Sequence, residues 1–217
     1  MKQEELIDAE RPRAYVYPTW ITKQLAGENK CWYQPWYKAH FRYKKLPDNP
    51  DRADFFRDYT ERHDTIVRHR VMDLKLQGYT VKVEDEGSFR VKGQAGDISG
   101  KPDIVAMKDD VAVVIDAKSG KPRQSDHWQV LLYMMLLPLD WLKGFAKVRG
   151  EVEYKDGTAD VRPIEARERE EIGEALRRVM GPEAPTAVPS AGDCKFCDIE
   201  RCQFRFQSTE GSAEGLF

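Results

Sequence analysis

The chain contains no long hydrophobic run. Its longest apolar stretch, residues 130–142, is interrupted by Pro138 and Asp140 and is too short to span a bilayer. The opening, MKQEELIDAERPR, is charged and has no apolar leader segment. From these two absences the expectation is a cytoplasmic or nucleoid-associated protein with no membrane partner. A dominant charge is also missing. Lys and Arg number 35 and Asp and Glu 37, a formal net charge of −2, so there is no global basic field and any nucleic acid must be held by a local patch. Cysteine is scarce, with four in 217 residues. Three of them, Cys194, Cys197 and Cys202, sit in CKFCDIERC, and Cys31 stands alone near the other end. In a reducing compartment a CxxC with a close third cysteine suggests a metal before a disulfide. There is no internal repeat.

What is present suffices for a globular domain with a real core: 41% of residues are apolar and 33% charged. Residues 19–25 predict a short helix ending near Gly27. The following CWYQPWYKAHFRYKK mixes aromatics with bases, and LPDNPD (46–51) reads as a loop. Phe55, Phe56, Tyr59, Ile66, Val67, Val71 and Leu74 recur at helical spacing over residues 54–77, and Gly78 stops the run. YTVKVED and SFRVKGQ read as two alternating strands joined at Glu86-Gly87. ISGKPDIVAMK and VAVVIDAK form the next strand pair around a tight acidic turn. Ser125 or Asp126 can cap a helix through Gln129, Tyr133 and Met134, which Pro138 ends. Residues 143–157 and 158–166 predict a further hairpin. Residues 168–180 form an amphipathic helix with a solvated face. Residues 181–193 are a Pro-rich connector, and the last ten residues read as loose. The expected architecture is α/β, a small mixed sheet flanked by helices.

The chemistry concentrates where VAVVIDAK ends. A strand this apolar should be buried, yet it closes on Asp116-Ala117-Lys118, an acid and a base on one face. Asp103 follows Gly100-Lys101-Pro102 at the start of the neighbouring strand, so a short turn brings Asp103 close to Asp116. Two crowded carboxylates repel and are normally completed by a cation, and an oxygen-rich site suits Mg²⁺ or Mn²⁺. Lys118 can orient an attacking water or neutralise charge on a scissile phosphate. Gln129 and Tyr133, spaced i and i+4, share one helix face that can touch the strand. Taken alone, a D-x-K pair is more often a surface salt bridge.

GKPD, DAK and QVLLY, in this order, resemble the PD-(D/E)XK nuclease superfamily in its RecB-like branch. One Cys before that core and three after it resemble the iron–sulfur RecB-like nucleases, which include the stand-alone CRISPR-associated exonucleases, AddB-type domains and phage relatives. The resemblance spans roughly residues 19–202. It implies a restriction-endonuclease-like core (54–181), a 1–53 segment that contributes one cysteine, a connector with three cysteines (182–206) that joins the two ends through a Cys₄ cluster, and a tail (207–217). It further implies a metal-dependent DNA nuclease, an exonuclease on DNA with single-stranded ends. Asp103 and Asp116 would be metal ligands, with His63 joining them from the helix and His69 as its rival. Lys118 would be catalytic, with Gln129 and Tyr133 in support. Cys31, Cys194, Cys197 and Cys202 would hold a structural [4Fe–4S] cluster, although Cys₄ also suits Zn²⁺. CRISPR integrase or recombination proteins are the implied partners. Trp36, Tyr37, Lys38, Arg42, Lys44 and Lys45 can stack bases and hold phosphates of a single strand, or simply pack. A DNA-end-binding adaptor is the alternative function. His40, His69 and His127 carry no expected role.

Overall fold

Register sets the architecture. In the computed structural model, which describes residues 8–46 and 53–207, β7 (Ile104–Lys108) and β8 (Val111–Lys118) pair antiparallel with Ile104 opposite Ile115. Asp109 in the turn between them has φ of 53°, a left-handed conformation that Asp tolerates. β4 (Thr80–Val83) pairs with the outer side of β7. β9 (Lys147–Tyr154) and β10 (Gly157–Val161) extend the other side, giving the order β10-β9-β8-β7-β4. β9 runs parallel to β8 because α4 (Gln124–Leu136) carries the chain back across the sheet.

The apolar run of β8 is buried on both faces, as a central strand requires. Ala112 and Val114 pack into the cluster that contains Val130 and Leu132 of α4. Val113 and Ile115 face the opposite way, toward Leu74 of α3 (Ala53–Leu76). Gly150 lets α4 settle onto β9, since a Cβ there would overlap Val130 and Met134. Burying one such Leu contributes about 2 kcal/mol.

Two of the expected strand pairs are redrawn. Residues 79–85 and 88–94 do not pair with one another. β4 belongs to the five-stranded sheet, whereas β5 (Phe89–Lys92) belongs to a three-stranded sheet ordered β2-β6-β5. A 3₁₀ turn, Glu84–Gly87, separates them. Residues 98–108 are likewise two strands. β6 (Gly96–Gly100) ends before Lys101-Pro102-Asp103, and the chain crosses there to β7 in the other sheet. Pro102 has no N–H for a ladder, which explains the break.

β2 (Ala14–Val16) runs parallel to β6. Through it the N-terminal stretch enters the main core: Ala14, Val16, Ile21 and Ala39 share one cluster with Val105 and Val130. α1 (Thr22–Leu25) follows, ending before Gly27 at φ 71°. α2 (Tyr33–His40) comes next, and its C-terminal neighbour β3 (Phe41–Arg42) pairs with β1 (Ala9–Glu10).

The helix starts also differ from expectation. The N-cap of α4 is Arg123, not Ser125 or Asp126. Asp126 accepts from the Arg123 N–H at 3.0 Å, and the Ser125 N–H and hydroxyl go to Glu28 at 3.0 and 2.8 Å. α5 (Ala166–Met180) begins two residues before residue 168, because Glu168 accepts from the Glu165 N–H at 2.8 Å and closes the first turn. Ile172, Ala175 and Val179 then face the core. Among the described residues no helix is long and apolar enough to cross a membrane. Most of the loop at 46–51 and the loose tail at 208–217 lie outside the described residues.

Candidate active site

Strand geometry gathers the predicted acid, base and supporting residues. Asp116 and Lys118 share the α4 face of β8, two residues apart. Asp103 precedes β7 and falls opposite Asp116 by continuation of the Ile104–Ile115 register. α4 lies over this face and presents Gln129 and Tyr133 one turn apart.

The side chains form two neighbouring sets, one around Asp116 and one around Asp103. Lys118 Nζ lies 2.6 Å from Asp116 Oδ2 and donates to Gln129 Oε1 at 3.1 Å. Gln129 Nε2 donates to Asp116 Oδ1 at 2.7 Å and lies 3.1 Å from the Tyr133 hydroxyl. That hydroxyl reaches the Lys101 carbonyl at 3.4 Å. Gly100 makes the approach possible, because a Cβ there would sit 2.9 Å from Tyr133 Cε1. Asp103 Oδ2 accepts from the Ala117 N–H at 2.7 Å and lies 3.2 Å from His63 Nε2. Asp64 flanks the other ring nitrogen at 3.5 Å.

Asp116 is 2% exposed. Burial pushes its carboxyl up to about 7; Lys118 opposes the shift and Asp103 reinforces it. Burial works against the Lys118 ammonium, but Asp116 and Asp103 outweigh it and raise its pKa. The hydrogen bond to Asp103 raises His63 against the opposing effect of burial. Burial, then Asp116, pushes the Tyr133 hydroxyl up, so it stays protonated. The site is thus a buried acid–base pair with a neutral phenol behind it and an imidazole at its rim.

The donor set, two neighbouring carboxylates and an imidazole, fits a divalent cation. Asp116 Oδ2 is buried, accepts no hydrogen bond and faces only the Lys118 ammonium. Among the described residues, however, no group of three or more His, Cys, Asp or Glu side chains stands arranged to hold a metal. The oxygens are turned to neighbours: Asp103 to Ala117 and His63, Asp116 to Lys118 and Gln129.

His69 lines a separate cavity between α3 and Ser119, with Asp58, Arg62 and Lys155. Several residues around the site give no sequence signal. Arg70 of α3 pairs with Glu151 and, at 3.4 Å, Glu153 of β9, which fixes the helix that carries His63. Tyr154 donates to Asp126 at 3.1 Å, and Glu28 holds Ser125. These contacts cross 28 to 97 positions of sequence, beyond the reach of local periodicity.

All four cysteines are free, half-buried and on the wall of one small cavity, together with Asn29, Tyr33 and Phe204. The Cys31 N–H donates to Asn29 Oδ1 at 2.8 Å. Arg205 binds the carbonyls of Cys194 at 2.9 Å and Cys197 at 3.2 Å. Burial raises the Cys197 thiol. Backbone ties join the two ends of the chain: Leu46 N–H to Asp198 O at 2.8 Å and Glu200 N–H to Lys44 O at 3.1 Å. The Tyr43 hydroxyl donates to Asp198 at 3.0 Å.

The aromatic–basic stretch divides. Trp36 is 8% exposed, stacks on His40 and donates its indole N–H to the Gly181 carbonyl at 2.9 Å. Tyr37 stacks on Phe41. Lys38 pairs with Asp198 at 2.6 Å and Lys44 with Glu200 at 3.1 Å. Arg42 and Lys45 are exposed. Packing therefore occupies Trp36, Tyr37 and Lys38. His40 is 3.2 Å from the Val179 carbonyl, so it is a packed histidine and not a surface one.

No curated protein shows a significant match to the chain. A solved structure titled "Crystal structure of SSO0001" matches at 16% identity, with a TM-score of 0.44, over 89% of this chain and 88% of that one. A family model described as the PD-(D/E)XK nuclease superfamily matches residues 18–205, a span that contains the whole network from His63 to Tyr133. Members of that superfamily are generally divalent-metal-dependent nucleases, and this chain belongs to it.

Proposed function

We propose that the protein is a deoxyribonuclease that hydrolyses phosphodiester bonds at the end of β8, working as an exonuclease on DNA with single-stranded ends. One observation carries this reading: Lys118 and Gln129 contact each other and the buried Asp116 carboxylate, with Asp103 opposite it in the strand register. A surface salt bridge would not have its carboxylate buried, nor held by a helix amide.

Asp103 and Asp116 would hold Mg²⁺ or Mn²⁺, with His63 as a nitrogen donor. The bound metal supplies activation of water and neutralisation of phosphate charge. Lys118 places a fixed positive charge where a pentacovalent phosphate gains negative charge. Gln129 fixes that ammonium and the carboxylate relative to one another. Tyr133, protonated, anchors Gln129 from behind. Arg42 and Lys45 remain candidates for phosphate contact. Incubation of labelled single-stranded and duplex DNA with Mg²⁺, Mn²⁺ or EDTA tests the reading. Metal-dependent release of short products supports it, and intact DNA under every condition overturns it.

Cys31, Cys194, Cys197 and Cys202 are proposed to bind a [4Fe–4S] cluster as a structural tie. Four unpaired thiols on one cavity wall support this. Anaerobically purified protein should be brown with about four irons per chain. A colourless protein with one zinc would replace the cluster with a zinc site.

A further inference from the structure

We propose that the outer face of the three-stranded sheet is a binding platform for a single nucleic-acid strand leading to the β8 site. This rests on the nuclease reading.

Register defines the face. Tyr15, Asp97 and Lys92 lie opposite one another across β2, β6 and β5, and Arg90 lies opposite Ser99. Ala14, Val16, Phe89 and Ile98 point the other way, into the core. Alternation therefore puts Tyr15, Arg90 and Lys92 outside. Just beyond β2, Tyr17 is 42% exposed. It meets Tyr15 edge-on at 5.0 Å and Trp20 at 5.1 Å, so three rings follow one another along the chain.

The charge on this face is positive. Asp97 is its one carboxylate in the register, and it is only 5% exposed. Arg13 at 3.0 Å and Arg90 at 2.7 Å neutralise it from two sides. Both guanidiniums still reach solvent, at 46% and 57% side-chain exposure. Asp97 thus acts as an anchor that holds two arginines at the sheet. Arg90 also lies 5.7 Å over the Tyr15 ring. Arg11 lies over the same ring at 5.9 Å, so Tyr17 is the ring left open to a base, with guanidiniums beside it to hold phosphates without sequence preference.

The chain leads from this sheet to the site. β6 runs toward Gly100, and the next residues, Lys101-Pro102-Asp103, deliver the candidate metal ligand. The Lys101 carbonyl touches the Tyr133 hydroxyl. Five residues of β6 span about 15 Å, room for a few bases at about 3.4 Å each. The acidic turn Glu84–Gly87 borders this exit, where Lys101 lies 3.3 Å from Asp85. A protein partner would also meet guanidiniums, but the exposed Tyr17 beside them and the proposed phosphodiesterase site at the end of the adjoining strand favour a polynucleotide.

The test uses Tyr17→Ala combined with Lys92→Glu, both exposed and outside the Asp97 anchor. Anisotropy in EDTA measures affinity for a thymidine oligomer of about 25 nucleotides at several salt concentrations. Cleavage in Mn²⁺ is then compared on that oligomer and on one of about 4 nucleotides, too short to reach the sheet from the site. About tenfold weaker binding of the long strand, with a flatter salt dependence and unchanged cleavage of the short one, supports the platform. Unchanged affinity for the long strand overturns it, as does an equal loss of cleavage on both lengths. If the wild-type chain cuts neither oligomer, the nuclease reading fails, and the affinity comparison still judges the platform.

Discussion

At the end of β8 the side chains hold one another, whereas around the cysteines the backbone does the holding. Lys118, Asp116, Gln129 and Tyr133 each contact another member of the set. In the cysteine cavity Arg205 grips carbonyls, Asn29 grips an N–H, and one thiol, Cys194, accepts from the Phe206 N–H at 3.3 Å. A network of side chains is lost when one member is cut. A cavity framed by backbone keeps its shape when a thiol is exchanged, unless something bridges the thiols. The two regions therefore answer differently to single substitutions.

The largest expected effect is at Asp116. Asp116→Ala should lower metal-dependent cleavage by on the order of 10³-fold or more, because it removes a proposed metal ligand and the partner of Lys118. Initial rates measure this, with DNA affinity and iron content as controls that should not fall. A wild-type rate would mean that the chemistry lies elsewhere.

Next in size is Cys194→Ser, which decides whether the cavity is held by backbone alone. If a cluster bridges the thiols, the variant should lose iron and about 3 kcal/mol, near 10 °C in melting temperature for a chain of this length. If nothing bridges them, serine leaves the Arg205 and Asn29 contacts intact and the melt moves by only a degree or two. Calorimetry beside iron analysis separates the outcomes.

Acidity distinguishes the regions on a smaller scale. Burial pushes the folded Asp116 carboxyl up to about 7, above the unfolded value of about 3.9. Its favourable contribution is full below about 3.9 and is lost as pH rises through about 7. His63, also raised, contributes in the same direction, present below about 6.5 and lost above. The carboxyls of Asp97, Glu168 and Asp198 are lowered, so their contribution is lost only at more acidic pH. In EDTA the melting temperature should therefore fall between pH 5 and 8, by on the order of 5 °C. Asp116→Asn should flatten most of that slope, and an unchanged slope would contradict the buried-carboxylate account.

Local periodicity made the elements around the candidate site legible. The helical spacing that ends at Leu74, the apolar run of β8 and the i, i+4 pair on α4 each depend on neighbours in sequence, and each stands as expected. The partners of β5 and β6 were not legible. Alternation shows that Phe89–Lys92 is a strand but not which sheet receives it, and the β2 partner lies some eighty residues away. The same holds for Arg70 and Glu28, whose partners are set by packing. Trp36 shows the remaining gap: an aromatic beside bases suits stacking on DNA and packing on α5 equally, and only the fold decides.

The smallest of the effects belongs to His63, and it tests the rim of the side-chain network. His63 Nε2 is 3.2 Å from Asp103 Oδ2, while His69 lines the neighbouring cavity with Asp58 and Arg62. Oxygen ligands alone suit Mg²⁺, and an imidazole shifts preference toward Mn²⁺. Wild type should therefore cleave faster with Mn²⁺ than with Mg²⁺. His63→Ala should slow cleavage by about tenfold, roughly 1.4 kcal/mol, and shrink the Mn²⁺ advantage. His69→Ala should stay near the wild-type rate with either metal. Titrating both metals against the three proteins reads this directly. If His63 merely positions Asp103, the rate falls but the Mn²⁺ to Mg²⁺ ratio holds; if the loss is confined to His69→Ala, the rim is built around the other histidine.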